Sequence, residues 1–204
     1  MKAVVLGLGG LVVLAATASV VSSRASAGLE TPVYEVLRAD GAFELRRYPE
    51  MVVASIDRTG SRGAAVQAGF SPLARYIFAR DRAGPKIAMT APVLQGPGER
   101  GWTVSFIMPS AMAREDLPLP NGDVRLEDVP ARVVAAVTFT GFWRDGSFDT
   151  QAERLRAWLA AEGVSVTGAP EYGYYNDPFT LPFLRRNEVL LEVAGDDLAG
   201  RAGS

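Results

Sequence analysis

The chain has 204 residues, 48% of them hydrophobic and 22% charged, with a formal net charge of -2. This balance is globular. It excludes extended disorder, a collagen-like repeat and a coiled coil, and the lack of a basic excess argues against a nucleic-acid partner. There is no His and no Cys, which removes imidazole bases, His-assisted nucleophiles, disulfides, thiolates, iron–sulfur clusters and His- or Cys-ligated metal.

The chain opens on an export pattern. Met1 and Lys2 precede an uncharged run from Ala3 to Val21, and Ala25-Ser26-Ala27 follows. A basic start, an apolar core and a small-residue site predict a signal peptide over residues 1–27. The alternative is a retained N-terminal anchor, because the run approaches the ~20 residues that span a bilayer. A cleaved leader implies a periplasmic or secreted protein; a retained one implies membrane anchoring. Residues 28–194 are expected to form one domain, and the small, polar stretch 195–204 a flexible tail.

An internal repeat predicts the architecture. Met51-Val-Val-Ala-Ser-Ile-Asp-Arg-Thr-Gly60 matches Arg132-Val-Val-Ala-Ala-Val-Thr-Phe-Thr-Gly141 at an offset of 81 residues. Each copy follows an alternating segment, 43–48 or 124–129. Each precedes a helical stretch and then two strand candidates, 87–93 with 102–108 and 172–175 with 188–193. Apolar/polar alternation gives most of these strands one buried face. The expected fold is α+β: a pseudo-twofold, distorted antiparallel β-barrel of about eight strands with two main helices, built from two repeated halves. In the first helix Val66, Phe70, Leu73 and Ile77 form a stripe. Ser71 before Pro72 resembles an N-cap followed by N1, which predicts a kink or two short helices. In the second, Thr150 and Glu153 fit a capping box, Ala152, Leu155 and Leu159 share a face beside Trp158, and Gly163 is the stop.

Several stretches resemble the SOUL family of haem-binding proteins. They are Tyr34-Glu-Val-Leu37 with Phe43-Glu-Leu-Arg-Arg-Tyr48, Gly69-Phe-Ser-Pro-Leu-Ala-Arg-Tyr-Ile77, Lys86-Ile-Ala-Met-Thr-Ala-Pro-Val93, Phe106-Ile-Met-Pro-Ser110, Leu117-Pro-Leu-Pro120, and Tyr175-Asn-Asp-Pro178 leading to Arg185-Arg-Asn-Glu-Val189. They occur in family order over roughly residues 31 to 193. The resemblance implies a barrel of two βαββ-like halves and a binder of haem or another tetrapyrrole, with no established enzyme activity. Some members carry a His ligand before the first conserved Tyr; here Arg47 stands there. The resemblance therefore implies haem or a related tetrapyrrole held without His ligation, by apolar contacts and propionate-binding cations or by a Met or Tyr ligand.

The resemblance places the cleft near the first helix and the Pro-rich loop before Arg185. Its cofactor-binding candidates are Phe70, Ala74, Arg75 and Phe78 on the helix, Tyr174 on a strand, and Phe179 and Leu181 in the loop. Arg75 would pair with a propionate. Met89 alternates with Ile87, Ala91 and Val93 and reads as core. Arg186 and Glu188 read as a structural ion pair. No catalytic or metal-binding residue is assigned. The expected partner is a small-molecule tetrapyrrole or lipophilic ligand, with membrane contact only through a retained leader. Two other readings stay open: a binder of other amphipathic small molecules, on a fold resembling the gyrase-inhibitor-like ligand-binding domains, and a small hydrolase of a lipophilic substrate.

Overall fold

The computed structural model describes residues 20–21 and 28–195. The predicted leader, apart from Val20–Val21, and the tail beyond Gly195 lie outside the described residues. The elements in chain order are β1 (Val20–Val21), β2 (Tyr34–Asp40), β3 (Phe43–Tyr48), β4 (Met51–Arg58), α1 (Arg62–Ile77), β5 (Val93–Gly98), β6 (Gly101–Ile107), β7 (Arg125–Val129), β8 (Arg132–Phe139), α2 (Asp145–Ala161), β9 (Glu171–Tyr174) and β10 (Asn187–Glu192). All strand pairs within the sheet are antiparallel.

The sheet order is β1-β2-β3-β8-β10-β9-β5-β6-β4-β7. From β3 to β7 this order reads the same after the halves are exchanged, so the twofold axis passes between β9 and β5. Register obeys the same rule. Tyr48 faces Arg132 across β3 and β8, and its counterpart 81 residues on, Val129, faces Met51 across β7 and β4. β4 and β8 also share one burial pattern, with four consecutive buried residues between half-buried ends. The first strand of each half thus pairs with the other half, which interlocks the two.

One expectation is corrected: the sheet is open. β7 and β1 end it at opposite edges, so no barrel closes. β2 covers the free edge of β3, while the symmetry-related edge of β7 carries the charged side chains of Arg125, Glu127 and Asp128, which discourage further pairing.

The expected strand 87–93 is also corrected, because strand geometry begins only at Val93. Pro92 has no N–H to give to a ladder. The segment before it is held irregularly, with Thr90 Oγ1 donating to the Ile107 carbonyl at 2.6 Å.

α1 is one continuous helix, neither two nor capped at Ser71. Its N-cap is Ser61, whose hydroxyl accepts from the Ala64 N–H at 3.4 Å. Pro72 deprives the Ala68 carbonyl of its usual helical donor, and Arg58 Nε reaches that carbonyl at 3.4 Å. Gly69 lies against β6: a Cβ there would stand 2.8 Å from Val104 Cβ. Gly69→Ala is therefore expected to cost about 1–3 kcal/mol through overpacking, measured by urea unfolding.

α2 starts at Asp145, five residues before the expected cap, and Thr150 Oγ1 donates to the Gly146 carbonyl inside the helix. Its end is as expected. Gly163 has φ +61°, its N–H bonds to the Ala160 carbonyl, and Val164 N–H bonds to the Leu159 carbonyl, the two bonds of a Schellman motif.

Both helices pack on one face of the sheet around a core that includes Leu73, Phe106, Phe148, Leu155, Leu159 and Tyr172, with Met89 packed against it as expected. The other face holds a smaller cluster of Tyr34, Tyr48, Val134, Ala136 and Leu190.

Candidate functional site

The helix-bearing face is plugged at the twofold axis. Arg62, at the start of α1, is buried, with its guanidinium over the rings of Tyr172 (4.3 Å) and Phe148 (4.8 Å). It pairs with Asp145 at 3.0 Å and Asp149 at 3.3 Å, so α1 is tied to α2. Tyr174 beside it is buried, and its hydroxyl donates to Gln95 Oε1 at 2.8 Å while Gln95 Nε2 donates to the Arg62 carbonyl at 2.9 Å. Burial raises the Tyr174 phenol above its ordinary pKa, against the pull of the Arg62 charge. It is therefore a neutral, committed phenol at neutral pH.

Two loops rise beside this plug at the start of α2. Phe142 is 54% exposed, Phe179 93%, Leu181 55%, Phe183 68% and Leu184 63%. Four of these lie within residues 179–184, and exposed apolar patches of this kind are characteristic of interaction sites.

The loops are held firmly. Asp177 accepts from the N–H groups of Phe179 (2.8 Å) and Thr180 (3.0 Å). Arg185 donates to the carbonyls of Thr180 (2.8 Å) and Pro178 (2.7 Å) and lies 4.5 Å from the Trp143 ring centre. Gly141 N–H bonds to the Pro182 carbonyl at 2.9 Å, joining one loop to the other. Trp143 Nε1 donates to Asn187 Oδ1 at 2.7 Å. Arg144 has its guanidinium over Phe142 at 4.8 Å and has no ion pair among the described residues.

The expected helix residues are placed less uniformly. Phe70 is 40% exposed and packs edge-on against Phe106 at 5.2 Å. Ala74 and Phe78 are partly buried against the core. Arg75 is exposed but engaged, with Ser71 at 3.2 Å and Asp81 at 3.5 Å. A propionate would have to compete with Asp81. Among the described residues, the ring contact of Phe70 is with Phe106, and no ring pair joins Phe70 or Phe78 to Phe179. Sequence reasoning missed Phe142, Arg144, Phe183 and Leu184; the strings Phe142-Trp143-Arg144 and Phe183-Leu184, each beside a turn, were the available signal.

The opposite face carries a buried ionic cluster. Arg46 grips Glu188 with two bonds of 3.0 Å. Glu188 also accepts from Arg186 (2.6 Å), Tyr175 (2.7 Å) and Thr138 (3.0 Å). Burial alone would raise the Glu188 carboxyl; the Arg46 charge, its hydrogen bonds and then Arg186 outweigh that and hold it at about 2. The expected Arg186–Glu188 pair is thus present, with Arg46 as the larger partner. Arg47 is exposed and paired with Glu35 at 2.6 Å. A separate cavity of about 840 Å³ opens where the segments 30–33, 49–52, 107–115 and 128–130 converge. None of the expected site residues lines it.

Residues 29–192 match the SOUL heme-binding protein family. The chain belongs to that family. Heme-binding protein 2 of Homo sapiens is 32% identical over 161 residues, spanning 74% of this chain and 78% of the human protein; the Mus musculus protein gives the same figures. Among solved structures, the EcmrR C-terminal domain superposes with a TM-score of 0.58 at 16% identity, over 74% of this chain and 96% of that domain. A hydrolase from Listeria innocua gives 0.54 at 16% identity, over 78% and 94%. These two likenesses establish the SOUL chain's fold alone.

Proposed function

We propose that this SOUL protein binds haem or a related tetrapyrrole non-covalently, without an imidazole ligand, against the apolar loops at the start of α2. The observation that carries the reading is the set of five large apolar side chains, each more than half exposed, on two loops that are bonded together. Such a surface fits a flat macrocycle face, and Arg144, which lies over Phe142 and has no ion pair among the described residues, suits a propionate better than the engaged Arg75. The half-exposed Phe70 flank of α1 is a second apolar contact. No step of bond making is assigned; the reading is one of binding.

Affinity then comes from burying the macrocycle, at roughly 25 cal/mol per Å² before the entropy of association is subtracted. Iron-free protoporphyrin is expected to bind within about threefold of haem, since no strong iron–protein bond is lost. Phe70→Asp is expected to weaken binding more than Arg75→Ala, because an exposed ion pair contributes only about 0–1 kcal/mol. Fluorescence quenching and Soret titrations test both, with a thermal melt of each variant as a folding control. A haem affinity far above that of the iron-free ring, with a low-spin spectrum, would overturn the reading.

The location proposed is the periplasm or the exterior, with residues 1–27 removed. The support is the order of Lys2, the apolar run and Ala25-Ser26-Ala27. Intact mass of the protein from its native host is expected to begin at Gly28; full-length mass in the membrane fraction would show an anchor instead.

A further inference from the structure

The two repeated halves finish the same end of the fold differently. In the first half, Glu99 and Arg100 alone join β5 to β6, with Gly98 paired to Gly101, and residues 59–61 join β4 to α1. In the second half the equivalent connections take residues 175–186 and 140–144. Thr59-Gly60-Ser61 and Glu99-Arg100 carry no large apolar side chain, whereas the longer pair carries Phe142, Phe179, Leu181, Phe183 and Leu184 in exposed positions. Two residues suffice to close the hairpin, so the added ones are not there to make the turn. Loops elaborated on a rigid scaffold are where binding sits.

Shape and charge narrow the partner. Phe179, at 93% exposure, is solvated on almost every side, so it is a knob and not the wall of a cleft. A rigid partner must carry a matching socket for each such knob; a fluid acyl layer closes around all of them. The two loops hold three arginines, Arg144, Arg185 and Arg186, against one carboxylate, Asp177. Arg186 is spent on Glu188, and Asp177 on the N–H groups of Phe179 and Thr180. The nearby Asp145 and Asp149 pair with Arg62. What remains is an apolar tip beside the guanidinium groups of Arg144 and Arg185, which matches the acyl chains and phosphates of a bilayer surface.

We propose that these two loops dock the protein peripherally on a phospholipid bilayer, with Phe142, Phe179, Leu181, Phe183 and Leu184 entering the interface and Arg144 meeting lipid phosphates. The hydrogen bonds that tie the loops together present the five side chains as one preformed surface, so little ordering is lost on docking. A macrocycle dissolved in the bilayer would meet the loops there. Docking nevertheless goes beyond the tetrapyrrole reading and does not rest on it, since the apolar tip and the guanidinium groups are sufficient.

The chain has no Cys, so Leu181→Cys gives a single thiol for the environment-sensitive dye NBD. Leu119→Cys is the control. Leu119 is 85% exposed beside Pro118, whose carbonyl takes the Tyr76 hydroxyl near the end of α1, whereas the start of α1 is tied to α2 next to the loops. The full chain without tetrapyrrole is mixed with phosphatidylcholine vesicles, with and without phosphatidylglycerol. The dye at 181 is expected to shift to the blue and to be quenched by brominated acyl chains, and the dye at 119 to stay in water. Phe179→Asp, Phe183→Asp in the labelled chain should weaken vesicle partition about tenfold or more. Phe179→Leu, Phe183→Leu should stay within about threefold, because a bilayer needs apolar area and not flat rings. Arg144→Gln should lose about threefold on the phosphatidylglycerol vesicles alone; equal loss on both kinds, or none, would overturn the part given to Arg144. The docking is overturned if the dye at 181 stays in water, if both dyes shift alike, or if the Asp variant partitions as its parent does. Attachment through residues 1–27 would leave both dyes in water and so counts against it. Docking with no porphyrin binding in solution sinks the tetrapyrrole reading alone; porphyrin binding with no docking sinks this one alone.

Discussion

Arg46→Met is expected to destabilise the fold by about 3–5 kcal/mol, read as a lower urea midpoint with an unchanged slope. The side chain of Glu188 is fully buried and that of Arg46 nearly so. Removing the guanidinium leaves a carboxylate inside the protein with Arg186 as its remaining cation. It also removes the donor to Tyr48 Oη at 3.2 Å and to Glu44 at 2.7 Å, and the cation over the Tyr34 ring at 4.5 Å. Because Arg46 is on β3 and Glu188 on β10, the loss falls on the joint between the two halves. Removing both charges, with Arg46→Met and Glu188→Leu together, should recover part of the loss, since no carboxylate is then stranded.

The same pair sets an acid limit. The Glu188 carboxyl is held at about 2 in the fold against an ordinary value of 4.5. A depressed carboxyl contributes stability that is fully present above its unfolded value and is lost as pH falls through the folded one. This contribution should therefore decline between pH 4.5 and 2. In Arg46→Met the burial that raises the carboxyl is opposed by less charge, so the folded value moves up toward 4.5 and the decline should be smaller and end at a higher pH. Urea midpoints measured across this range would test it; a variant with an unshifted profile would show that Arg186 alone holds the carboxylate.

The repeat was legible because it is built from local patterns in equivalent places. Val52-Val53-Ala54 and Val133-Val134-Ala135 sit in strands with the same burial pattern and symmetry-related registers. Gly163 was legible as a stop because a positive φ needs no distant partner. Closure of the sheet was not legible: whether β7 meets a further strand depends on edges that no local pattern encodes. Arg46 was hidden for a similar reason. In Phe43-Glu-Leu-Arg-Arg-Tyr48 it reads like Arg47, yet its carboxylate lies 142 residues away. α1 ran through Pro72 because Arg58, from β4, reaches the carbonyl that Pro72 cannot serve. The cavity had no signature at all, since four separated segments form it. The apolar character of the Pro-rich loop before Arg185 was legible, but exposure is a property of the fold. Phe179 at 93% and Tyr174 at 6% were indistinguishable as candidates.

That exposure makes the loop the sharpest test of tetrapyrrole binding. The double variant Phe179→Asp, Phe183→Asp is expected to weaken protoporphyrin and haem binding by about a hundredfold, or ~2.7 kcal/mol. Burying one such ring against a ligand is worth roughly 1.5–3 kcal/mol, and two carboxylates would further repel the propionates. Stability should barely change, because both side chains are largely solvated and surface substitutions usually fall within about 0.5 kcal/mol. The clamps that shape the loop, Asp177 on the Phe179 N–H and Arg185 on the Pro178 and Thr180 carbonyls, use backbone atoms or residues that the variant keeps. The replacement Phe179→Leu, Phe183→Leu retains apolar area and loses the flat rings, so it should fall between the two. If the Asp variant binds protoporphyrin as the native chain does, with the same melting temperature, the ligand does not rest on this loop and the Phe70 flank of α1 becomes the site to test.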